Sequence, residues 1–421
     1  MEENFKEAER AVIAGVHTGE ENSLYDTTEE SIRELSELVE TAGGIVVGEM
    51  VQNRKVIETG TYFGEGKLLE LKNACETLEA SLVVVDDELS GSQIRNIEEA
   101  LGDITVIDRN TLILDIFAQR AKSAEGKIQV ELAQLKYMLP RLSGLGKQLS
   151  RQGGGIGTKG PGETKLESDR RHIMRKVTAL KEELKEIEKR RNFARRRRQK
   201  DGVLTAAIVG YTNAGKSTLI NALTGSDVTA RDRLFETLDL TSRALTLSDS
   251  REVRIIDTVG FIRRLPHQFI EAFKSTLEEA SSADILIHVI DSSSPEMENH
   301  IEVVRKLLSE LGCDDKPVIG VFNKTDIAQN DLGGRYGFSH AVRISAKTGM
   351  GMEELIKEIE DTLPGKKKKV KLLIPYTDGA AVSDIHEREL VLSTDYKDGG
   401  TLICAMVDPV SYERYKRYEI I

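Results

Sequence analysis

Gly210-Tyr-Thr-Asn-Ala-Gly-Lys-Ser217 decides the fold, because it joins a predicted buried strand over residues 204–210 to a predicted helix that begins at Thr218. A strand, a glycine-rich loop and a helix in this order form a P-loop. Its backbone N–H groups can wrap a phosphate chain, and the positive end of the helix dipole favours the phosphate charge. We therefore expect an α/β domain over residues 201–365, with a mostly parallel sheet and helices on both faces.

The residues of this loop have different predicted roles. The Lys216 ammonium is expected to contact the β- and γ-phosphates of a nucleotide, and the Ser217 hydroxyl is expected to bind Mg²⁺. The other contacts are expected to come largely from the backbone. The predicted nucleotide contacts in this segment are Gly210, Tyr211, Thr212, Asn213, Ala214, Gly215, Lys216, Ser217 and Thr218.

A second motif distinguishes between the purine bases. Asn323-Lys-Thr-Asp326 closes a predicted strand, and the Asp326 carboxylate can accept hydrogen bonds from the N1–H and the amino group of guanine. Adenine offers neither donor there, and sites built on such pairing can discriminate by ~10⁴. The sequence therefore predicts GTP rather than ATP. The expected contacts on the base side are Asn323, Lys324, Asp326, Ser345, Ala346 and Lys347.

Two further segments are expected to sense the γ-phosphate. Asp257 ends a predicted strand and would hold Mg²⁺ through its water shell, and the Gly260 N–H would meet the γ-phosphate. Before that strand, Thr237 is our choice for the threonine that completes the metal shell, with Thr229 and Thr241 as alternatives. Loss of the γ-phosphate should release both segments. The candidate catalytic residues are Lys216, Thr237 and Gly260, the candidate Mg²⁺ ligands are Ser217 and Thr237, and Phe235 is a further predicted GTP contact.

Phe261 departs from a common pattern. Many regulatory GTPases carry glutamine after the glycine of this motif, and that glutamine orients the attacking water. Phenylalanine has no polar group with which to do so, and it can equally serve to pack a core. We therefore expect slow hydrolysis by the protein alone, completed by a partner that orders the switch segments.

The segments outside residues 201–365 indicate three further domains. Short β-rich runs alternate with amphipathic stretches over residues 1–127, which predicts a small parallel α/β domain. Residues 366–421 are predicted to run strand, helix, strand as a small α+β domain. Within the first domain, Gly64-Glu-Gly-Lys67 is a weak match to a phosphate loop, and a helix-starting turn explains it equally well.

Residues 128–200 are predicted to form a coiled-coil helical hairpin. Apolar residues recur at spacings of 4, 3 and 4 from Ile128 to Leu139 and of 4, 3, 4 and 3 from Ile173 to Ile187. Between them, residues 143–163 contain 8 glycines in 21 residues. The second helix would extend the glycine loop roughly 50 Å from its base. A disordered linker is the alternative interpretation of this loop.

Charge is distributed unevenly along the chain. The net charge is −11, yet residues 141–200 carry 19 Lys and Arg against 7 Asp and Glu. This basic segment would attract a polyanion, although a solvated helix face explains the same charges. It holds few aromatic residues, so we expect phosphate contacts rather than base stacking. Arg141 and Lys147 flank or occupy the tip of the hairpin, and the predicted RNA contacts are Arg151, Lys159, Lys165, Arg170 and Arg171.

Composition narrows the cellular setting. The N-terminus is acidic where a secretion signal would be basic and then apolar, and no apolar run approaches the ~20 residues that span a bilayer. The three cysteines, at positions 75, 313 and 404, are far apart in the sequence, which is typical of a reducing compartment. We expect a cytoplasmic monomer that binds neither membrane nor DNA.

With these residues in place, the chain resembles the HflX family of ribosome-associated GTPases over essentially its full length. The specific match is Gly153-Gly-Gly-Ile-Gly-Thr-Lys-Gly-Pro-Gly-Glu-Thr-Lys-Leu-Glu-Ser-Asp-Arg-Arg171, before the basic helix. Residues 62–67, 257–261 and 373–379 support it. Glu236 and Thr325 are small departures from the family pattern, and Glu236 adds a charge near the metal that Thr237 would bind.

The resemblance implies a function in translation. It implies that the protein binds the large ribosomal subunit and its RNA under the control of GTP, that ribosomes stimulate hydrolysis, and that stalled or inactive ribosomes are split into subunits. A GTP-dependent hibernation or assembly factor without splitting activity is the alternative. ATP binding by the N-terminal domain is attributed to the family, and the residues here leave it open.

Overall fold

The computed structural model describes residues 8–19, 28–142, 161–200, 203–225, 234–235, 241–249, 251–264, 279–328, 336–365 and 367–420. These residues form three β-sheets and a long helical hairpin. The expected fold class, a P-loop α/β domain with three accompanying domains, is confirmed. No helix among the described residues combines the length and the apolar character that a membrane crossing requires.

The N-terminal domain is a parallel sheet with helices on both faces. The sheet order is β2-β1-β3-β4, and every neighbouring pair is parallel. One face packs against α1 and α4 and the other against α2 and α3, so the apolar strands are covered on both sides. The elements are β1 Arg10–His17, α1 Thr28–Ala42, β2 Ile45–Asn53, α2 Glu65–Thr77, β3 Leu82–Val85, α3 Gly91–Leu101, β4 Thr105–Asp108 and α4 Arg109–Arg120.

Two helices of this domain begin at side-chain caps. Ser90 and Gln93 form a capping box at the start of α3. The Asp108 carboxylate accepts a hydrogen bond from the Thr111 N–H at the start of α4. The caps satisfy N–H groups that the first turn leaves without helical partners, and they fix where each strand turns into a helix.

The predicted hairpin is present, with longer helices than expected. Helix α5 spans Ala124–Leu142 and α6 spans Pro161–Lys200, so the hairpin begins before the expected residue 128. At 1.5 Å per residue the 40 residues of α6 extend about 60 Å rather than 50 Å. The predicted apolar residues do form the contact between the two helices. Its buried members are Ile128, Leu132, Val177 and Leu180.

The P-loop domain contains a six-stranded sheet of order β10-β9-β8-β5-β7-β6, in which only β6 is antiparallel to its neighbour. Strands β5, β7, β8 and β9 end at one edge of the sheet, where α/β proteins bind ligands. The elements are β5 Leu204–Gly210, α7 Lys216–Thr224, β6 Thr241–Thr246, β7 Glu252–Asp257, β8 Ile285–Asp291, α8 Met297–Glu310, β9 Val318–Asn323, β10 His340–Arg343 and α9 Met352–Thr362.

The C-terminal domain is a three-stranded antiparallel sheet covered by two short helices. Its strand order is β11-β13-β12, and Ile385 and Tyr415 pack from the helices onto the apolar side of β11 and β13. Strand β12 was not predicted, because its residues are mostly half or fully exposed. The elements are β11 Lys368–Ile374, α10 Gly379–Arg388, β12 Leu390–Lys397, β13 Gly400–Val407 and α11 Pro409–Tyr415.

Candidate nucleotide site

Two glycines of the P-loop are required by close contacts. A side chain at Gly210 would overlap the Val289 carbonyl of β8. Gly215 has a φ of 92°, and a Cβ there would overlap the Asn323 amide. The loop therefore lies against both the central sheet and the predicted guanine motif, at a distance that only glycine allows.

Lys216 lies inside the curve of this loop. Its Nζ donates hydrogen bonds to the carbonyl oxygens of Tyr211 at 2.7 Å and Gly210 at 3.2 Å. Burial lowers the pKa of Lys216 to about 8, although the Asp257 carboxylate acts in the opposite direction. A phosphate placed in the loop would supply the compensating charge that this buried ammonium lacks.

Asn323 connects three of the predicted motifs. Its Nδ2 donates to the Ala214 carbonyl of the P-loop at 2.9 Å, and its Oδ1 accepts from the Ala346 N–H at 3.0 Å. Ser345 is fully buried beside it, whereas Asp326 and Lys347 are exposed at the rim. Lys324 has a φ of 61° and its Nζ lies 2.7 Å from Asp291. The loops predicted to hold the base are thus built around one amide side chain.

The predicted magnesium ligands are only partly described. Ser217 lies in the first turn of α7, and Asp257, which ends β7, is buried. A hydroxyl and a carboxylate are hard oxygen donors of the kind that Mg²⁺ takes alongside water and phosphate oxygens. Among the described residues there is no cluster of three or more His, Cys, Asp and Glu that would bind a metal by itself. Thr237 and Thr229 lie outside the described residues, as does the side chain of Thr241.

The segment after β7 lies directly on the P-loop. The Thr212 N–H donates to the Phe261 carbonyl at 2.7 Å, and the Phe261 N–H donates to the Gly210 carbonyl at 3.1 Å. A Cβ at Gly260 would come within 3.0 Å of the Lys216 Nζ. The Phe261 side chain is buried in an apolar cluster with Val209 and Tyr211. The geometry therefore directs this side chain into a core rather than toward water.

The N-terminal domain packs on the same loop, which the sequence did not predict. Tyr211 donates from its hydroxyl to Glu34 of α1 at 2.5 Å and accepts from the Arg263 N–H at 3.0 Å. Its ring stacks on His300 with centroids 3.8 Å apart. Burial, followed by the Glu34 charge, raises the pKa of Tyr211 well above its usual value, so the phenol stays a donor.

Charged residues extend this domain contact. The buried Arg109 pairs with Glu34 and Asp86 of the N-terminal domain. Arg264, just beyond Phe261, lies 2.8 Å from Asp87. Asp86 and Asp87 follow β3, at the carboxyl edge of the N-terminal sheet, so that edge faces the segment that is expected to sense the γ-phosphate. The two acidic residues after β3 are visible in the sequence, but the sequence does not indicate which segment they contact.

Comparisons with known proteins cover almost the whole chain. Residues 29–118 match the family described as GTP-binding GTPase N-terminal, residues 120–198 the GTP-binding GTPase Middle Region, and residues 205–324 the 50S ribosome-binding GTPase family. GTPase HflX of Caldanaerobacter subterraneus is 50% identical over 100% of this chain and 96% of its own. The chain belongs to the GTPase HflX family. GTPase HflX of Escherichia coli K12 is 37% identical over 97% of this chain and 96% of its own.

The HflX-family chain is also similar to a solved structure over part of its length. The crystal structure of a GTP-binding protein from Sulfolobus solfataricus in complex with GDP is 28% identical, with a TM-score of 0.46. It aligns with 84% of this chain and with 98% of that protein.

The predicted RNA contacts of the HflX-family hairpin are described in part. Arg170 and Arg171 are exposed on α6, near its beginning, and Lys165 lies in the same helix. Arg151 and Lys159 fall outside the described residues. The P-loop lies close to Gly260 and to the guanine motif, and the guanine motif lies close to residues 345–347.

Arg141 lies in the last turn of α5, beside the glycine loop, and its side chain has partners inside the protein. Its Nη2 donates to the Leu89 carbonyl at 2.7 Å and lies 3.1 Å from Asp108, and its guanidinium covers the Tyr137 ring at 3.4 Å. These contacts hold the end of α5 against the N-terminal domain, which gives Arg141 a structural role. The sequence gave no indication of this internal role, because Arg141 stands next to a loop that is itself basic.

Proposed function

We propose that the protein binds GTP with Mg²⁺, hydrolyses it, and uses the GTP-bound form to engage the large ribosomal subunit. The observation that supports this most is the position of Asn323, whose amide joins the P-loop to the guanine motif and to Ala346. Because these segments meet at the carboxyl edge of one parallel sheet, a single nucleotide can contact all of them. Family membership supports the ribosomal part of the proposal.

In the proposed complex the chain supplies binding and orientation. The N–H groups at the start of α7 face the phosphates, the Lys216 ammonium turns from the loop carbonyls to the β- and γ-oxygens, and the Asp326 carboxylate pairs with guanine. Ser217 is the proposed direct metal ligand, and Asp257 holds the metal through water. Bound Mg²⁺ would neutralise charge that develops on the phosphates.

Hydrolysis by the protein alone is proposed to be slow. The Phe261 side chain is buried and apolar, so it cannot orient water as glutamine does in other GTPases. Its backbone is bound to Gly210 and Thr212, and a ribosome that rearranges this segment would change the rate. Single-turnover hydrolysis with and without ribosomes tests this, and rapid turnover without ribosomes would contradict it.

The hairpin is the proposed docking element. Arg170 and Arg171 are exposed at the loop end of a helix about 60 Å long, which suits phosphate contacts with RNA at a distance from the nucleotide. Binding should weaken steeply as salt rises, because each neutralised phosphate releases counterions. An Arg170→Gln, Arg171→Gln double variant should reduce the salt slope by about two.

The matched control changes two equal charges on the same helix. Lys181 and Lys185 are also exposed on α6, farther from the loop. Their double substitution by glutamine should leave ribosome binding nearly unchanged if the loop end makes the contact. Equal losses in the two double variants would indicate a diffuse charge effect and would contradict docking through the loop end.

We further propose that the GTP-bound protein splits ribosomes into subunits. Sedimentation of whole ribosomes with the protein and GTP, GDP or a non-hydrolysable GTP analogue tests this. Splitting predicts fewer intact ribosomes and retention of the protein on the large subunit in the GTP-like state. A hibernation factor would instead preserve intact ribosomes under the same conditions, and binding that ignores the nucleotide would contradict both proposals.

A further inference from the structure

The hydroxyl of Thr212 is buried without a hydrogen-bond partner among the described residues. Thr212 is the third residue of the P-loop and 6% exposed, and its Oγ1 neither donates nor accepts a hydrogen bond there. Its backbone N–H is used by the Phe261 carbonyl, so the hydroxyl is the donor of Thr212 that remains available. Burial of a hydroxyl without a partner is costly, which favours a role in binding over a role in packing.

Thr212 lies where the predicted γ-phosphate contacts meet. A Cβ at Gly260 would lie 3.0 Å from the Thr212 Cγ2 and 3.0 Å from the Lys216 Nζ. Thr212 also lines a cleft of about 230 Å³ between the P-loop and the N-terminal domain, together with Tyr211, Asn213 and Leu234. The threonine therefore borders both the predicted phosphate position and a space that admits water.

Two other polar side chains near the loop are held by neighbouring groups. The Thr258 hydroxyl donates to the Ile208 carbonyl at 2.6 Å. Arg263, which also lines the cleft, forms ion pairs with Glu30, Glu34 and Glu296. Phe261 has no polar group, whereas the Thr212 hydroxyl can both accept a hydrogen bond from water and donate one to an oxygen atom.

We propose that Thr212 is a further catalytic residue of the GTP hydrolysis proposed above, on which this inference rests. Its hydroxyl accepts a hydrogen bond from the attacking water and donates one to a γ-phosphate oxygen. The hydroxyl then both donates and accepts a hydrogen bond, whereas it does neither among the described residues without nucleotide.

The step itself balances without any other reactant. The water oxygen forms a bond to the γ-phosphorus while the bond from that phosphorus to the β–γ bridging oxygen breaks. GDP leaves with the bonding electron pair, and the water proton passes to the phosphate product. Thr212 orients the water and keeps its own proton throughout.

The test compares Thr212→Val with Thr212→Ser in the full-length protein with Mg²⁺. Valine keeps the shape and removes the hydroxyl, whereas serine keeps the hydroxyl. Single-turnover GTP hydrolysis should fall on the order of 10²-fold in the valine variant and recover with serine. The dissociation constants for GTP and GDP should stay within about threefold in both, because the group acts mainly in the transition state.

A second readout separates catalysis from folding. Aluminium fluoride with GDP mimics the transferring phosphoryl group, so the tightening of GDP binding by aluminium fluoride should be lost with valine and kept with serine. Equal hydrolysis by wild type and the valine variant would overturn the inference alone. Loss of GDP binding in the valine variant would also overturn it, by indicating a structural role. Absence of GTP binding and hydrolysis in wild type would instead overturn the proposed function.

Discussion

Lys216 is a buried ammonium held by two carbonyl oxygens of its own loop. Burial brings its pKa to about 8, below the usual value for lysine. The charged form is the one disfavoured in the folded protein, so this residue costs stability below pH 8 and that cost is relieved as the pH rises. A bound phosphate would reverse the preference, because it stabilises the ammonium.

The lowered pKa of Lys216 should make nucleotide affinity depend on pH. If only the protonated lysine binds the phosphates, the dissociation constant for GDP should rise several-fold between pH 7 and pH 8.5. Titration of the full-length protein with a fluorescent GDP derivative measures it. In a Lys216→Arg variant the charge persists, so its affinity should be flat over that range. A flat profile for wild type would contradict the depressed pKa.

At the scale of the element, the helix that follows the P-loop, α7, lies between two glycines with positive φ. Gly215 precedes α7 with a φ of 92°, and Gly225 follows it with a φ of 62°. A Cβ at Gly215 would overlap Asn323, whereas at Gly225 it would meet nothing within 4 Å. The two positions share backbone strain and differ in packing.

Alanine substitution should separate these effects. Gly225→Ala should cost about 1–2 kcal/mol of unfolding free energy through backbone strain alone and keep GDP affinity. Gly215→Ala should cost more and also lose GDP binding, because it displaces the amide that joins three nucleotide segments. Denaturant unfolding and GDP titration of both variants measure this. Retained GDP binding in Gly215→Ala would contradict the role given to Asn323.

The hairpin is the second element that admits a direct test. Leu180 is buried between the helices, whereas Met174 on the same helix is 49% exposed. Leu180→Ala should destabilise the hairpin by about 2 kcal/mol, and Met174→Ala should have little effect. Hydrogen exchange of α5 and α6 should report the difference, with GDP affinity unchanged. Equal protection in the two variants would exclude the contact between the helices as the source of rigidity.

These elements also show which parts of the fold can be predicted from the sequence. The P-loop and the hairpin contact were predicted because each depends on residues close together in the chain or on a regular apolar period. Helix α4 was not predicted, because it follows β4 directly and is buried along most of its length. Strand β12 was missed because its side chains are largely exposed.

At the scale of the whole molecule, the contact between the N-terminal domain and the nucleotide site was beyond sequence reasoning. Tyr211 and Glu34 are 177 residues apart, and nothing in either segment specifies the other. The Phe117 and Phe235 rings meet in the same way, with centroids 4.6 Å apart. Such pairs depend on how two finished domains pack, whereas the P-loop depends only on its own sequence.

The central claim is that a guanine nucleotide controls the protein. Competition binding of GTP and ATP to the full-length protein with Mg²⁺ tests it most directly. We predict a preference for GTP of ~10⁴ or more, most of which an Asp326→Asn variant should lose because its amide cannot accept from both guanine donors. Equal affinity of the wild-type protein for GTP and ATP would contradict the account.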